Sequence, residues 1–334
     1  NLLTLPELCL TGYTCGDLFF SDCLLGAVEP ALARVVEASK DLYPVTAVGL
    51  PLRFGGKLYN CAAVVHAGRL LGVVPKTHLP NYGEFYELRQ FSSAKTLEGK
   101  AYTFPLCGQN VPFGTALLFC CSGMQDYTFG VELCEDLWTP EPPSIRHALN
   151  GANVIVNLSA SDETTGKDIY REELVGGQSA RLLCGYIYAS AGDGESTQDV
   201  VYSAHNIIAE NGRILKKAKR FANETVYSEI DVLRLNAERR RMTTFETRMD
   251  GYTEIPFALK IEETELTRYI DPMPFVPGSK TDRERRCDEI LSIQAMGLKK
   301  RLEHTHCKSA VIGISGGLDS TLALLVTVRA FDLL

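Results

Sequence analysis

Near-continuous apolar runs at 46–50, 58–66, 69–74, 116–121, 127–133, 153–158, 186–191, 204–209 and 226–233 predict strands, several of them buried on both faces. The chain opens on an apolar run, 2–8, interrupted at Pro6, which reads as a strand already in progress and predicts a further element upstream. Between the strands, amphipathic spacing at 27–39, 144–150 and 170–184 predicts helices. The runs 58–66 and 69–74 meet at Ala67-Gly68, a hairpin that delivers Lys76 just beyond a strand end. Strands alternating with helices imply an α/β fold with at least one covered sheet face, and the hairpin makes the sheet mixed rather than purely parallel.

The pattern breaks at Asp271-Pro272-Met273-Pro274-Phe275-Val276-Pro277-Gly278, whose prolines and glycine suit a connection between domains. Beyond it, 282–302 reads as an amphipathic helix, 310–314 as a buried strand, 315–320 as a Gly-rich loop and 321–329 as a helix. This is the opening of a second α/β domain, expected to be incomplete at Leu334. The expected division is a first domain over 1–260, a linker over 261–281 and the start of the second over 282–334.

Composition narrows the function classes. The 334 residues carry 34 Lys plus Arg against 41 Asp plus Glu, a formal charge of -7 with no cationic excess to attract a phosphate backbone. Nucleic acid is therefore not expected as a partner. No apolar stretch approaches the roughly 18 residues of a membrane span, so no membrane is expected either. Eleven cysteines, an odd number without a C-x-x-C pair, read as reduced thiols of a cytoplasmic protein.

Three residues each stand just past a predicted strand: Glu7 in Leu5-Pro6-Glu7-Leu8, Lys76 in Pro75-Lys76-Thr77-His78-Leu79-Pro80, and Cys134 in Cys134-Glu135-Asp136-Leu137-Trp138. Strand ends display reactive groups from a rigid support. A thiol attacks once its proton is lost; a nearby cation favours the thiolate, and a carboxylate can accept the proton. The Lys76 ammonium and the backbone N–H of Glu135 can also stabilise an oxyanion, so acyl transfer from an amide or nitrile is the chemistry this set suits. Singly, a cysteine among eleven, a loop glutamate and a surface lysine each have an ordinary structural explanation.

Together with their flanks, these blocks resemble the nitrilase, or carbon–nitrogen hydrolase, superfamily over residues 1–235. The resemblance implies a four-layered α-β-β-α sandwich, although the family's usual first strand and helix have no counterpart in this chain. It also implies Glu7 as general base, Lys76 as stabiliser of the tetrahedral intermediate and Cys134 as the thioester-forming nucleophile.

A second motif, Ser315-Gly316-Gly317-Leu318-Asp319-Ser320, follows the predicted strand 310–314. Glycines allow close approach of the main chain to phosphate, and the following helix start offers N–H groups. No Lys follows the glycines, so this is not the Lys-containing phosphate loop. It resembles the pyrophosphate loop of the ATP pyrophosphatases, implying ATP binding by these six residues and a doubly wound domain of adenine-nucleotide α-hydrolase type. A ligand-free strand-to-helix turn is the plainer alternative.

An amide-cleaving cysteine site joined to an adenylating domain resembles the glutamine-dependent amidotransferases that convert deamido-NAD+ to NAD+. Local matches run through residues 81–89, 142–144, 157–161 and Gly192 to Thr197. By that resemblance the substrates are glutamine, deamido-NAD+ and ATP, with Mg2+ accompanying ATP at ligands the sequence does not identify, in a homo-oligomer. The implied glutamine contacts are Tyr82, Glu87, Glu135, Ser161 and Lys167. Two alternatives stay open: a stand-alone amidase or nitrilase with the same triad, and a non-catalytic scaffold retaining the fold.

Overall fold

A computed structural model describes residues 1–97, 99–124, 126–196 and 200–334; Thr197 of the Gly192 to Thr197 motif lies outside them. The chain divides into two compact units, Asn1–Arg268 and Tyr269–Leu334. The first half of the larger unit contains β1 (Leu2–Thr4), α1 (Asp22–Ala38), β2 (Val45–Phe54), β3 (Lys57–His66), β4 (Arg69–Pro75), the single turn α2 (Glu87–Gln90), β5 (Tyr102–Leu106) and β6 (Gln109–Phe113). Its second half contains β7 (Leu117–Cys121), β8 (Thr128–Leu133), α3 (Pro143–Leu149), β9 (Val154–Ser159), α4 (Lys167–Leu182), β10 (Gly185–Ser190), β11 (Ile207–Glu210), β12 (Arg213–Lys217), α5 (Val232–Arg241) and β13 (Thr253–Phe257).

Two mixed sheets result, in the orders β1-β2-β3-β4-β6-β5 and β12-β11-β10-β9-β8-β7-β13. Alternation along the strands decides what each face meets. Val45, Ala47, Ala62, Val64 and Leu71 of the first sheet pack against Phe119, Phe129, Val131, Val154 and Val156 of the second, forming the central core. The opposite face of the first sheet, with Leu50, Cys61, Ala63 and Val65, is covered by Val28, Leu32 and Val36 of α1. The outer face of the second, with Leu118, Ile155, Tyr186 and Ile207, is covered by Ala148 of α3 and by Val175 and Leu182 of α4. The unit is thus a four-layered α-β-β-α sandwich, and the inner sheet faces are apolar because both lie against another layer.

Two expected strands are not formed. Residues 226–231 run without regular structure and α5 then begins, because Asp231 accepts a hydrogen bond from the backbone N–H of Arg234 (2.9 Å) and caps a helix there. Residues 310–314 are also irregular, with Val311 99% exposed. A strand exists only with a partner, and the smaller unit consists of two helices, α6 (Lys280–Thr305) and α7 (Leu318–Asp332), with no described strand to pair. The β5–β6 hairpin, β12 and β13 escaped the sequence reading because they are short edge elements with polar or half-exposed positions. Among the described residues no helix is long and apolar enough to cross a membrane.

Candidate active site

Glu7 lies in the turn after β1, and the strand beside it is shaped to let it lie there. A Cβ on Gly49 of β2 would stand 2.3 Å from the backbone nitrogen of Leu8 and 2.8 Å from the carbonyl carbon of Glu7, so only glycine allows this approach. The Glu7 N–H donates to Ser159 O (3.3 Å) at the end of β9, tying this turn to the other sheet. Lys76 is the first residue after β4, and its N–H donates to Asn60 O (2.8 Å). Cys134 follows β8 and starts the 3-10 turn Cys134–Trp138 with φ of +38°, a left-handed conformation that is strained for a non-glycine residue. Asn157 holds it there by accepting from the Cys134 N–H (3.0 Å). The first sheet therefore supplies the carboxylate and the ammonium, and the second supplies the thiol.

Glu7 and Lys76 are fully buried. Lys76 Nζ lies 2.6 Å from Glu7 Oε1 and 2.6 Å from Oε1 of buried Glu87. Asn60 Nδ2 donates to Glu7 Oε1 (2.7 Å) and the Ala160 N–H to Glu7 Oε2 (2.9 Å), so both oxygens are engaged. Tyr13 OH donates to Glu87 Oε1 (2.8 Å), whereas Glu87 Oε2 is buried without a protein partner. Glu87, expected as a substrate contact, thus sits on Lys76 itself. A cavity of about 640 Å³, lined by Tyr13, Phe85, Glu87 and Tyr202 among others, opens beside this cluster.

Electrostatics follow from burial. Desolvation opposes charge on Lys76, but Glu7 and Glu87 outweigh it and hold its pKa well above that of an ordinary lysine. Burial pushes Glu87 up to about 7, against the pull of Lys76. Burial and the Glu7 charge also raise the Cys134 thiol well above its usual range, with Lys76 only partly opposing them. The cation expected to favour a thiolate is matched by two carboxylates, so the resting group is the thiol.

Tyr82 is 61% exposed, and its hydroxyl donates to Glu135 Oε1 (2.7 Å). Lys167 pairs with Asp162 and lies over the rings of Phe85 (5.6 Å) and Trp138 (5.5 Å). Ser161 is buried, and its hydroxyl accepts from Arg171 Nη2 (3.2 Å) within a second buried cluster. Of the expected glutamine contacts, Glu87 is brought to Lys76, while Tyr82 and Glu135 form a pair and Ser161 and Lys167 are already partnered. Asn157 and Tyr13 lie in the matching blocks but the sequence assigns them no role, and it does not single out Asn60. The two asparagines carried a signal, since each interrupts an otherwise apolar strand.

In the smaller unit, the motif divides between loop and helix. Gly316 has φ of +84° and Gly317 caps α7, so Leu318, Asp319 and Ser320 form its first turn rather than loop. Ser320 Oγ donates to Gly317 O (3.1 Å) and lies 3.4 Å from Ser315 Oγ. Backbone N–H groups of the helix start and the hydroxyls of Ser315 and Ser320 converge there, a set that fits phosphate oxygens. Among the described residues no group of three or more His, Cys, Asp or Glu side chains could hold a metal ion.

Residues 1–240 match the family model for carbon-nitrogen hydrolase and residues 290–333 that for NAD synthase. The chain is 42% identical over 342 residues to glutamine-dependent NAD(+) synthetase of Mycobacterium tuberculosis, covering 99% of this chain and 50% of that protein. It is 26% identical to the enzyme of the same name from Aquifex aeolicus, covering 99% of this chain and 53% of the other. The chain thus spans about half the length of the curated relatives it matches. A glutamine-dependent NAD(+) synthetase structure from Cytophaga hutchinsonii superposes with a TM-score of 0.58 at 32% identity, over 66% of this chain and 35% of that one. A carbon-nitrogen hydrolase from Helicobacter pylori, 19% identical, shares the fold with a TM-score of 0.53 over 72% of this chain and 81% of that one.

Proposed function

This chain belongs to the carbon–nitrogen hydrolase family, and from that premise we propose that it is the glutamine-hydrolysing part of a glutamine-dependent NAD+ synthetase. In this reading, ammonia freed at Cys134 amidates deamido-NAD+ that ATP has activated, with release of AMP and pyrophosphate. The observation that carries the proposal is the buried Lys76 ammonium held between Glu7 and Glu87, with Glu7 and Lys76 both near enough to act on the Cys134 thiol. The relatives that match 99% of the chain support this substrate class.

The chemistry runs from a neutral thiol. Cys134 Sγ attacks the side-chain amide carbon of glutamine as its proton passes to Glu7, because no resting thiolate is available. The oxyanion is stabilised by Lys76 Nζ and the Glu135 N–H, since Asn157 already occupies the Cys134 N–H. Glu7 returns the proton to the leaving nitrogen, the C–N bond breaks and ammonia departs. Glu7 then takes a proton from water as its oxygen adds to the thioester carbon; the C–S bond breaks, Glu7 gives the proton to Cys134 Sγ, and glutamate leaves with the thiol and the carboxylate restored. The unpartnered Glu87 Oε2 suits the substrate ammonium, and Tyr82, Glu135, Ser161 and Lys167 surround the rest of glutamine. Ser315, Gly316, Gly317, Leu318, Asp319 and Ser320 would hold the phosphates of ATP, and Asp319, in the first turn of α7, is the motif's one carboxylate and would serve an accompanying Mg2+.

The test is mass spectrometry after exposure to a glutamine diazoketone. One adduct is expected, on Cys134, lost in Cys134→Ala and competed by glutamine. No adduct on Cys134, or undiminished labelling in the variant, refutes the assignment.

A further inference from the structure

We propose that Asp136 is a positioning residue for this chemistry, a buried carboxylate that clasps the segment carrying Cys134 to the segment carrying Lys76. The proposal rests on Cys134 being the nucleophile. Asp136 Oδ2 accepts from the N–H of Leu133 (3.0 Å), immediately before Cys134. Its Oδ1 accepts from the N–H of His78 (2.8 Å), two residues after Lys76 and on the other sheet's side of the site. The residue is 1% exposed, and none of the described ion pairs includes it. Burial and the Glu132 charge oppose its ionised form, and the two accepted N–H bonds and the Lys76 charge favour it.

A buried carboxylate is costly unless its oxygens are used. Here each oxygen is used on a different catalytic segment. The bond to Leu133 alone closes the local turn, which an asparagine could do equally well. The bond to His78 does something else: it fixes the distance between the Lys76 backbone and the Cys134 turn. Asparagine cannot keep both, because its amide NH₂ would face one of the two N–H donors. Cys134 needs such a restraint, since its left-handed backbone relaxes once unsupported.

The experiment compares Asp136→Asn with the parent chain, following inactivation of Cys134 by the glutamine diazoketone and its alkylation by iodoacetamide, read peptide by peptide. The maximal inactivation rate constant is expected to fall on the order of tenfold to a hundredfold, with the half-saturating concentration within about threefold. The pH profile of Cys134 alkylation is expected to move as Lys76 drifts from the thiol. A folded variant with unchanged rate constant and pH profile overturns the proposal, whatever its melting temperature. Where the variant does not fold, hydrogen exchange of the parent decides. The His78 amide is expected to exchange only through rare opening, and exchange at the free-peptide rate overturns the clasp. A parent whose Cys134 takes no diazoketone at all refutes the proposed function, a result distinct from either of these.

Discussion

Replacing Lys76 by methionine keeps an unbranched apolar stem and removes the charged Nζ that lies 2.6 Å from both Glu7 Oε1 and Glu87 Oε1. The two carboxylates stay buried, with no described cation between them. Removing one partner from a buried ion pair costs about 3–5 kcal/mol. In a unit of this size each kcal/mol lowers the melting midpoint by about 2–4 °C, so a fall of roughly 6–20 °C is expected at pH 8. The pH dependence supplies the sharper test. Burial raises Glu87 to about 7 in the parent, and Lys76 is the main influence pulling it down. An acid whose folded pKa exceeds its unfolded value of about 4.3 loses stability as pH rises between the two. Without Lys76 the folded value climbs further, so the gap between variant and parent widens toward alkaline pH and narrows toward pH 5. His147, whose pKa burial lowers to about 4, weakens both proteins alike as pH falls below about 6.5, and it cancels in the difference. Calorimetry at pH 5, 6.5 and 8 measures the gap. Midpoints within 2 °C at pH 8, or a gap that grows on acidification, refute the cluster as described (~2 °C is about half a kcal/mol).

Gly49→Ala places a methyl group against the Leu8 nitrogen and the Glu7 carbonyl, so a loss of about 1–3 kcal/mol is expected with slower diazoketone labelling of Cys134. Denaturant melts and labelling rates read both, and unchanged labelling counts against Glu7 as the proton acceptor. Tyr82→Phe removes one exposed hydrogen bond to Glu135, so stability should move by less than about 0.5 kcal/mol. If Tyr82 lies against glutamine, the half-saturating diazoketone concentration rises several-fold while the maximal rate constant holds; the reverse pattern removes it from the binding set.

Much of the first unit was legible because its strands are buried on both faces and read as unbroken apolar runs. The residues at the ends of β4 and β8 could be placed because Pro75 and Cys134 mark where those runs stop. What depended on long-range pairing was not legible. The segment 226–231 and the segment 310–314 look like strands locally, yet one meets a helix cap and the other has no partner. The site shows the same limit. Lys76 was expected as a cation beside a thiol, but only the fold reveals that Glu87, 11 residues downstream, turns back onto it. Polar residues inside apolar runs, such as Asn60 and Asn157, are the sequence feature that tertiary structure converts into support for a reactive group.

Because Glu7 and Lys76 come from one sheet and the Cys134 sulfur from the other, neither layer alone assembles the proposed site. A refolding chain can recover its strands early and remain inert until the two layers close on each other. The return of diazoketone labelling at Cys134 after dilution from denaturant is therefore expected to time that closure.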